Sequence, residues 1–270
     1  MGTAILRGFL DRKSSDAVIT KFIATTRTER SAQKLKTGLT KHTGSVVVTT
    51  AGDNLKAFQN ADIIVLACPV RSAEEILCFP GIRQAMKSKL LISVLAGVLT
   101  STLTSYIHGP PGKSECSVVR ALPNIAARIG ESMTLVDEDS MQGIPSHHRE
   151  GTTCILESIG QIAHVAPRQF DVGTALAGCG IAFLCIAFEG LLDGAVSEGM
   201  SRNKATELLA QTTLAAAKLM MAGNHPSMLK EEIASPGGLT MKGLLSLERG
   251  QVRAEYSDAI IDAMPSTKAM

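Results

Sequence analysis

Short apolar runs alternate with amphipathic stretches over the N-terminal part of this chain, and long helical periods fill the rest. The runs Phe22–Thr26, Val46–Thr49, Ile63–Ala67, Leu90–Leu95 and Ser117–Ala121 are aliphatic or β-branched, which predicts strands. Helical spacing lies between several of them, as in Arg30–Leu39 and Ser72–Met86. Met133–Val136 predicts a further strand, Pro145–Gly160 a helix, and His164–Val165 a last short strand. Strands alternating with helices imply βαβ units and a parallel sheet. From Asp171 onward the pattern is helical only: Thr174–Gly199, Arg202–Met221, Met228–Ile233 and Thr240–Ala263. The expected architecture is an α/β nucleotide-binding domain over residues 1–166 and an all-α domain over residues 167–270.

A doubly wound dinucleotide domain opens with a strand and a G-x-G-x-x-G turn. This sequence opens with Met1–Leu10, which already reads as a helix, and Met1-Gly2 looks like the tail of a glycine turn. The expectation is a sheet with an unpaired interior edge and a phosphate site short of its main backbone donors. A shortened gene model is the expected cause. The other readings are a non-catalytic paralogue and a structural subunit that pairs with a full-length relative.

Composition narrows the function. Hydrophobic residues make up 45% of the 270, aromatics only 3%, and Trp is absent, so the core must be aliphatic. A net charge of +2, with no basic run interleaved with aromatics, argues against a nucleic-acid partner. The apolar stretch Val172–Phe188 is interrupted by Gly173, Thr174, Gly178 and Gly180. It therefore reads as a buried helix too short to span a bilayer, and no membrane partner is expected. Arg7, Asp11, Arg12 and Lys13 break the N-terminal apolar stretch, so no secretion signal is visible. The expected location is the cytoplasm, and the alternative is a mitochondrial address lost with the N-terminus. Cys68, Cys78, Cys116, Cys154, Cys179 and Cys185 form no CxxC pair and read as small buried hydrophobes. No metal site is expected, and His147 and His148 are expected to be exposed.

The chemistry concentrates in Ser235-Pro236-Gly237-Gly238-Leu239-Thr240, followed at once by a helical pattern. Glycines let backbone approach a ligand, and the first N–H groups of a helix have no partners within it. A carboxylate or phosphate fits there, with the Thr240 hydroxyl beside it. The competing reading is an ordinary loop with a Thr cap. After Phe22–Thr26 stand Arg27, Thr28, Glu29 and Arg30. No acidic residue ends that strand to grip a ribose 2′-hydroxyl; two arginines and two threonine hydroxyls suit a 2′-phosphate and favour NADP. A solvated turn is the alternative. Glu189, inside an apolar helical stretch, reads either as a polar contact near substrate or subunit interface, or as an exposed or paired charge.

Several runs in this order resemble the pyrroline-5-carboxylate reductase family. They are Met1–Leu10, Asp53-Asn54 before Asn60–Leu66, Leu91–Gly97, Val119-Arg120-Ala121-Leu122-Pro123-Asn124, Ala175–Gly180, and His225 to Glu248 with its Ser-Pro-Gly-Gly-x-Thr. The resemblance implies a Rossmann-like (6-phosphogluconate-dehydrogenase-like) domain lacking its first strand, then an all-α dimerisation domain. It implies reduction of 1-pyrroline-5-carboxylate to L-proline by hydride from NADPH, or from NADH. Thr240 matches the residue that hydrogen-bonds the imine nitrogen. Ser235, Gly237, Gly238 and Leu239 match the substrate carboxylate site, and Glu189 is grouped with them. Arg27, Asn54, Pro69, Ala96, Gly97 and Asn124 match cofactor positions. Asn54 and Asn124 also have an ordinary reading as turn residues. The partners implied are a small cyclic imino acid and further copies of the chain, in a homodimer or higher homo-oligomer.

The sequence departs from the family pattern in four places. Cys68 stands where the family usually has a Lys before Pro69, Cys179 replaces a Ser, Ile181 a Pro, and Leu239 an Ala or Thr. These changes keep open a second reading, an imine reductase of specialised metabolism that makes a substituted proline or related ring.

Overall fold

A computed structural model describes residues 1–11, 19, 21–42, 44–108 and 116–264. Arg12 and Lys13, used above against a secretion signal, lie outside the described residues. The chain divides into two compact units, Met1–Gly178 and Cys179–Met270.

Among its described residues the first unit holds seven strands: β1 (Phe22–Thr26), β2 (Val46–Thr50), β3 (Ile63–Leu66), β4 (Leu90–Ser93), β5 (Ser117–Leu122), β6 (Ser132–Asp137) and β7 (Gly160–Val165). Its helices are α1 (Gly2–Asp11), α2 (Glu29–Gly38), α3 (Asn54–Asn60), α4 (Ala73–Leu77), α5 (Ile82–Ala85), α6 (Thr100–His108), α7 (Ser146–Glu157) and α8 (Phe170–Thr174). The strands fall into two sheets, in line with the unpaired interior edge expected, and one pairing departs from the parallel arrangement expected. β1 and β2 pair in parallel as a two-stranded sheet, and β3 to β7 form a five-stranded sheet in sequence order. Within it β3, β4 and β5 are parallel, β5 and β6 antiparallel, and β6 and β7 parallel. The reversal follows from a short link. Between Leu122 and Ser132 lies only the 3₁₀ turn Ile125–Ile129, and a parallel crossover needs a dozen or more residues.

Alternation along the central strands fills both faces of the larger sheet. Leu90, Ile92 and Val119 pack with Ile5, Phe9, Ile155 and Leu156 of α1 and α7. Leu91 points the other way, with Phe58, Leu77, Ile82 and Leu103 of α3 to α6. The α1 helix touches both sheets. Phe9 meets Phe22 of β1 at 5.4 Å between ring centroids, and Gly2 sits where an added Cβ would lie 3.1 Å from Ala67.

The helical stretch expected over Ser72–Met86 is broken into α4 and α5, because Pro80 cannot continue a helix and Gly81 adopts φ of +91°. His148 is buried rather than exposed, on the inner face of α7, where its Nδ1 pairs with the Ser117 hydroxyl at 2.8 Å. The cysteines also differ from expectation. Cys116 is buried, Cys68 and Cys179 are half-buried, and Cys78, just past the end of α4, Cys154 and Cys185 are exposed.

The second unit contains α9 (Gly180–Ser197), α10 (Arg202–Met221), α11 (Pro226–Ile233), α12 (Leu239–Arg249) and α13 (Val252–Asp262). A π turn, Ala175–Cys179, leads into α9. The long helix expected over Thr240–Ala263 is two helices, parted at Gly250 and at Gln251, which adopts φ of +55°. Among the described residues of this unit, Ala205 is the sole buried hydrophobic side chain. Within one chain, Ala175 is the one buried residue of Val172–Phe188, so this helix lacks cover from its own chain. The run Pro167–Ser197 is, by length and composition, apolar enough to cross a membrane, and only 6% of its most apolar window is buried within the chain. An exposed apolar face of this size marks a surface for a protein partner or a membrane.

Candidate functional site

The cofactor candidates in the first unit share one structural origin, the C-terminal ends of parallel strands. Thr26 pairs with Thr50, so Arg27 and Asn54 follow the same rim of the small sheet. Leu66, Ser93 and Arg120 are in register, so Pro69, Ala96, Gly97 and Asn124 follow the same rim of the large one. α3 shows that the two rims lie on one side. It starts at Asn54, just past β2, and its last carbonyls, Phe58 and Gln59, accept hydrogen bonds from Lys89 Nζ at 2.6 and 2.8 Å, just before β4. Ligands of open α/β sheets bind at the carboxyl ends of the strands.

At the small-sheet rim, Arg27 and Arg30 are exposed. Thr28 caps α2, its hydroxyl accepting the Ser31 N–H at 3.3 Å, and Thr26 Oγ1 donates to the Thr28 carbonyl at 3.1 Å. The threonines thus shape the turn while both guanidinium groups stay in solvent. Asn54 is half-buried in the first turn of α3, beside Asp53. The Asp53 carboxylate accepts the Thr49 hydroxyl, which holds its pKa below the usual carboxylate range, and Lys56 stands 3.6 Å away.

At the large-sheet rim, Pro69 is exposed, and Ala96 and Gly97 form an exposed turn with Gly97 at φ of +71°. An L side chain there would be strained, which keeps the main chain open to a ligand. Burial pushes the Cys68 thiol pKa up, so Cys68 carries no charge at neutral pH. Asn124 is engaged at both ends of its amide. Its Oδ1 accepts the Ala126 N–H at 3.0 Å, and its Nδ2 donates to the Ala177 carbonyl at 3.0 Å. Its main-chain N–H donates to Ser132 Oγ at 3.0 Å. The ordinary turn reading of Asn124 thus has a concrete basis.

In the second unit the substrate candidates other than Glu189 fall at one turn and the helix start that follows it. The Gly238 N–H donates to the Ser235 carbonyl at 3.0 Å, Gly237 adopts φ of +69°, and Gly238 is the N-cap of α12 with no side chain to cap it. Thr240 is in the first helical turn rather than at the cap, and it is exposed. The cap role offered as the ordinary reading of Thr240 therefore belongs to Gly238. The first N–H groups of α12 remain for an outside acceptor, with the positive end of the helix dipole behind them. Leu239 is exposed at the first helical position. Glu189 is exposed midway along α9 within one chain. Among the described residues no group of acidic, His and Cys side chains is arranged to hold a metal ion.

One residue in the quoted motifs received no role from sequence. Arg120 lies inside β5 with its side chain 6% exposed, and its guanidinium is 3.8 Å from the centre of the Phe170 ring. A lone charge within an otherwise apolar strand was the available signal.

Known proteins give this arrangement its place. Residues 167–270 match a family model described as pyrroline-5-carboxylate reductase dimerisation, and residues 1–97 match NADP oxidoreductase, coenzyme F420-dependent. A pyrroline-5-carboxylate reductase of Lophium arboricola is 37% identical over 283 residues, covering 97% of this chain and 88% of that protein. One from Schizosaccharomyces pombe is 30% identical over 284 residues, covering 100% of this chain and 95% of that protein. The crystal structure of Plasmodium falciparum pyrroline carboxylate reductase with NADP bound superposes with a TM-score of 0.78 at 26% identity, over 97% of this chain and 91% of that one. A Rossmann-like unit with strand-end cofactor positions, followed by a helical dimerisation unit, defines an NAD(P)H-dependent oxidoreductase. The chain belongs to the pyrroline-5-carboxylate reductase family.

Proposed function

We propose that this chain reduces 1-pyrroline-5-carboxylate to L-proline with NADPH. The observation that carries the reading is the Ser235–Thr240 turn, where a left-handed Gly237 and a side-chain-free N-cap, Gly238, leave helix N–H groups open to an anion. The substrate carboxylate accepts hydrogen bonds from this main chain. The Thr240 hydroxyl hydrogen-bonds the imine nitrogen, orients it and relays the proton that nitrogen gains as the carbon–nitrogen double bond is reduced. A Thr hydroxyl is a poor free acid, so positioning is the larger contribution.

The strand-end residues fit a dinucleotide: the Ala96–Gly97 turn offers open backbone, and Arg27 and Arg30 offer two exposed cations. When bound, NADPH supplies the hydride that adds to the imine carbon. Arg27 and Arg30 bind its 2′-phosphate, and Asn54, Pro69, Ala96, Gly97 and Asn124 border it. The helical unit self-associates as a homodimer or larger ring, which covers the exposed apolar faces of α9 and α10.

The test is NADPH oxidation by the purified chain with 1-pyrroline-5-carboxylate, with proline identified by mass spectrometry. Turnover dependent on that substrate is the expected result. Oxidation only with substituted pyrrolines or other cyclic imines would replace the substrate, and no oxidation with any of them would overturn the reading.

A further inference from the structure

Burying a guanidinium is costly unless partners repay it. Arg120 has few. Its Nη2 is 3.6 Å from Asp171, a carboxylate that is half exposed, and its Nε has no hydrogen-bond partner. Its plane lies over Phe170, itself buried. For stability alone an apolar side chain would serve this place as well. What the arginine does contribute is a fixed direction. It ties Phe170 and Asp171, in α8, to the rim of the large sheet.

Asn124, just past the same strand, makes the matching tie at the other end of that segment, from Nδ2 to the Ala177 carbonyl in the π turn. Between the two ties, an added Cβ on Gly173 would stand 2.9 Å from the Leu135 side chain of β6, so the segment lies tight on the sheet. The turn held in this way departs from the α-helical hydrogen-bond ladder, a departure that recurs at functional sites.

We propose that Arg120 is a positioning residue for the reductase reaction. With Asn124 it clamps Phe170–Ala177 onto the strand-end rim and so fixes Asn124 and the π turn relative to the cofactor. This role rests on the function proposed above. Asp171 is half exposed, so removing the arginine strands no buried carboxylate, and its loss affects geometry more than folding.

The experiment compares wild type with Arg120→Met and Arg120→Lys in four readouts: hydrogen exchange of residues 170–179, kcat, NADPH Kd and thermal midpoint. In Arg120→Met the expected result is faster exchange confined to 170–179 and a kcat lowered about ten- to a hundredfold, with NADPH Kd within about twofold. Arg120→Lys, which lacks the planar stacking surface, is expected to fall between the two. Faster local exchange with unchanged kcat would make the clamp structural only and overturn the proposal. A large rise in Kd with unchanged kcat would overturn it in favour of direct cofactor contact. Unchanged exchange at 170–179, or faster exchange across the whole sheet with a lowered thermal midpoint, would overturn the clamp itself. Absence of turnover in the wild type counts against the functional reading, and the exchange measurement still decides the clamp.

Discussion

Ser235 Oγ occupies the space that a side chain on Gly238 would need: an added Cβ would stand 2.5 Å from it and 3.1 Å from the Ser235 carbonyl oxygen. The substrate turn is thus closed by the fit of these two residues. Gly238→Ala is expected to lower kcat/KM for 1-pyrroline-5-carboxylate about tenfold or more by pushing the helix start out of place. The thermal midpoint should hardly move, because Ser235 is exposed. Adding Ser235→Gly should restore part of the activity, since it removes the hydroxyl and leaves the carbonyl contact. Steady-state kinetics of the single and double variants would check this.

Thr240 is the one side-chain hydroxyl assigned to the imine nitrogen. Thr240→Ala is expected to reduce kcat by about a hundredfold or more while NADPH affinity stays near wild type, and Thr240→Ser should keep most of the rate. Equal losses in Ala and Ser variants would argue for a packing role of the methyl group instead.

Cofactor choice is expected to reside in exposed charge after β1. Arg27→Glu should weaken NADPH binding by about ten- to a hundredfold, with a much smaller effect on NADH. Fluorescence titration with each cofactor, repeated at high salt, would measure the difference. Salt should erode the wild-type preference too, because both arginines are exposed.

Self-association should depend on α9. Ile186 is 70% and Leu191 58% exposed within one chain. Ile186→Glu or Leu191→Glu is expected to shift the protein to monomer, or to unfold the helical unit, which buries so little by itself. Light scattering across a concentration series, with circular dichroism to follow the helices, separates the two outcomes.

Acid sensitivity should trace in part to His148. Burial, with the nearby His147, lowers its pKa below the usual 6.5. As pH falls through 6.5, the unfolded chain takes up the proton before the folded one does. The stability associated with the neutral buried ring is full above that value and is lost as pH drops toward the folded pKa. His148→Asn, which can still pair with Ser117, is expected to flatten the decline in thermal midpoint between neutral and mildly acidic pH.

Much of the fold was legible in sequence because strand periods and turn residues coincide. Phe22–Thr26 and Arg202–Met221 match their predicted limits, and both lie between clear punctuation. The failures have physical causes. Apolarity in Val172–Phe188 predicts burial but does not say by what, and within one chain most of the stretch is uncovered. His148 looked exposed because its neighbours are polar, yet the α7 period turns it inward. The antiparallel β5–β6 pair depends on link length more than on strand composition. In the site, the Ser235–Thr240 turn was readable because glycine and proline restrict backbone directly. Asn124 was not, since the same residue type serves a turn, a tether or a cofactor, and only the Ala177 contact shows the tether.

The separation of β1 and β2 from the larger sheet has a thermodynamic consequence. Two paired strands are marginal as an independent unit, so this corner should open at a lower free-energy cost than β4 or β5. Yet it carries the arginines assigned to the 2′-phosphate. Ligand binding and local folding there are linked, so NADPH should slow amide exchange in Phe22–Thr26 and Val46–Thr50 more than in the central strands. Part of the intrinsic affinity would then go into ordering the site, and apparent NADPH affinity would fall with temperature more steeply than affinity for a ligand held only by the larger sheet.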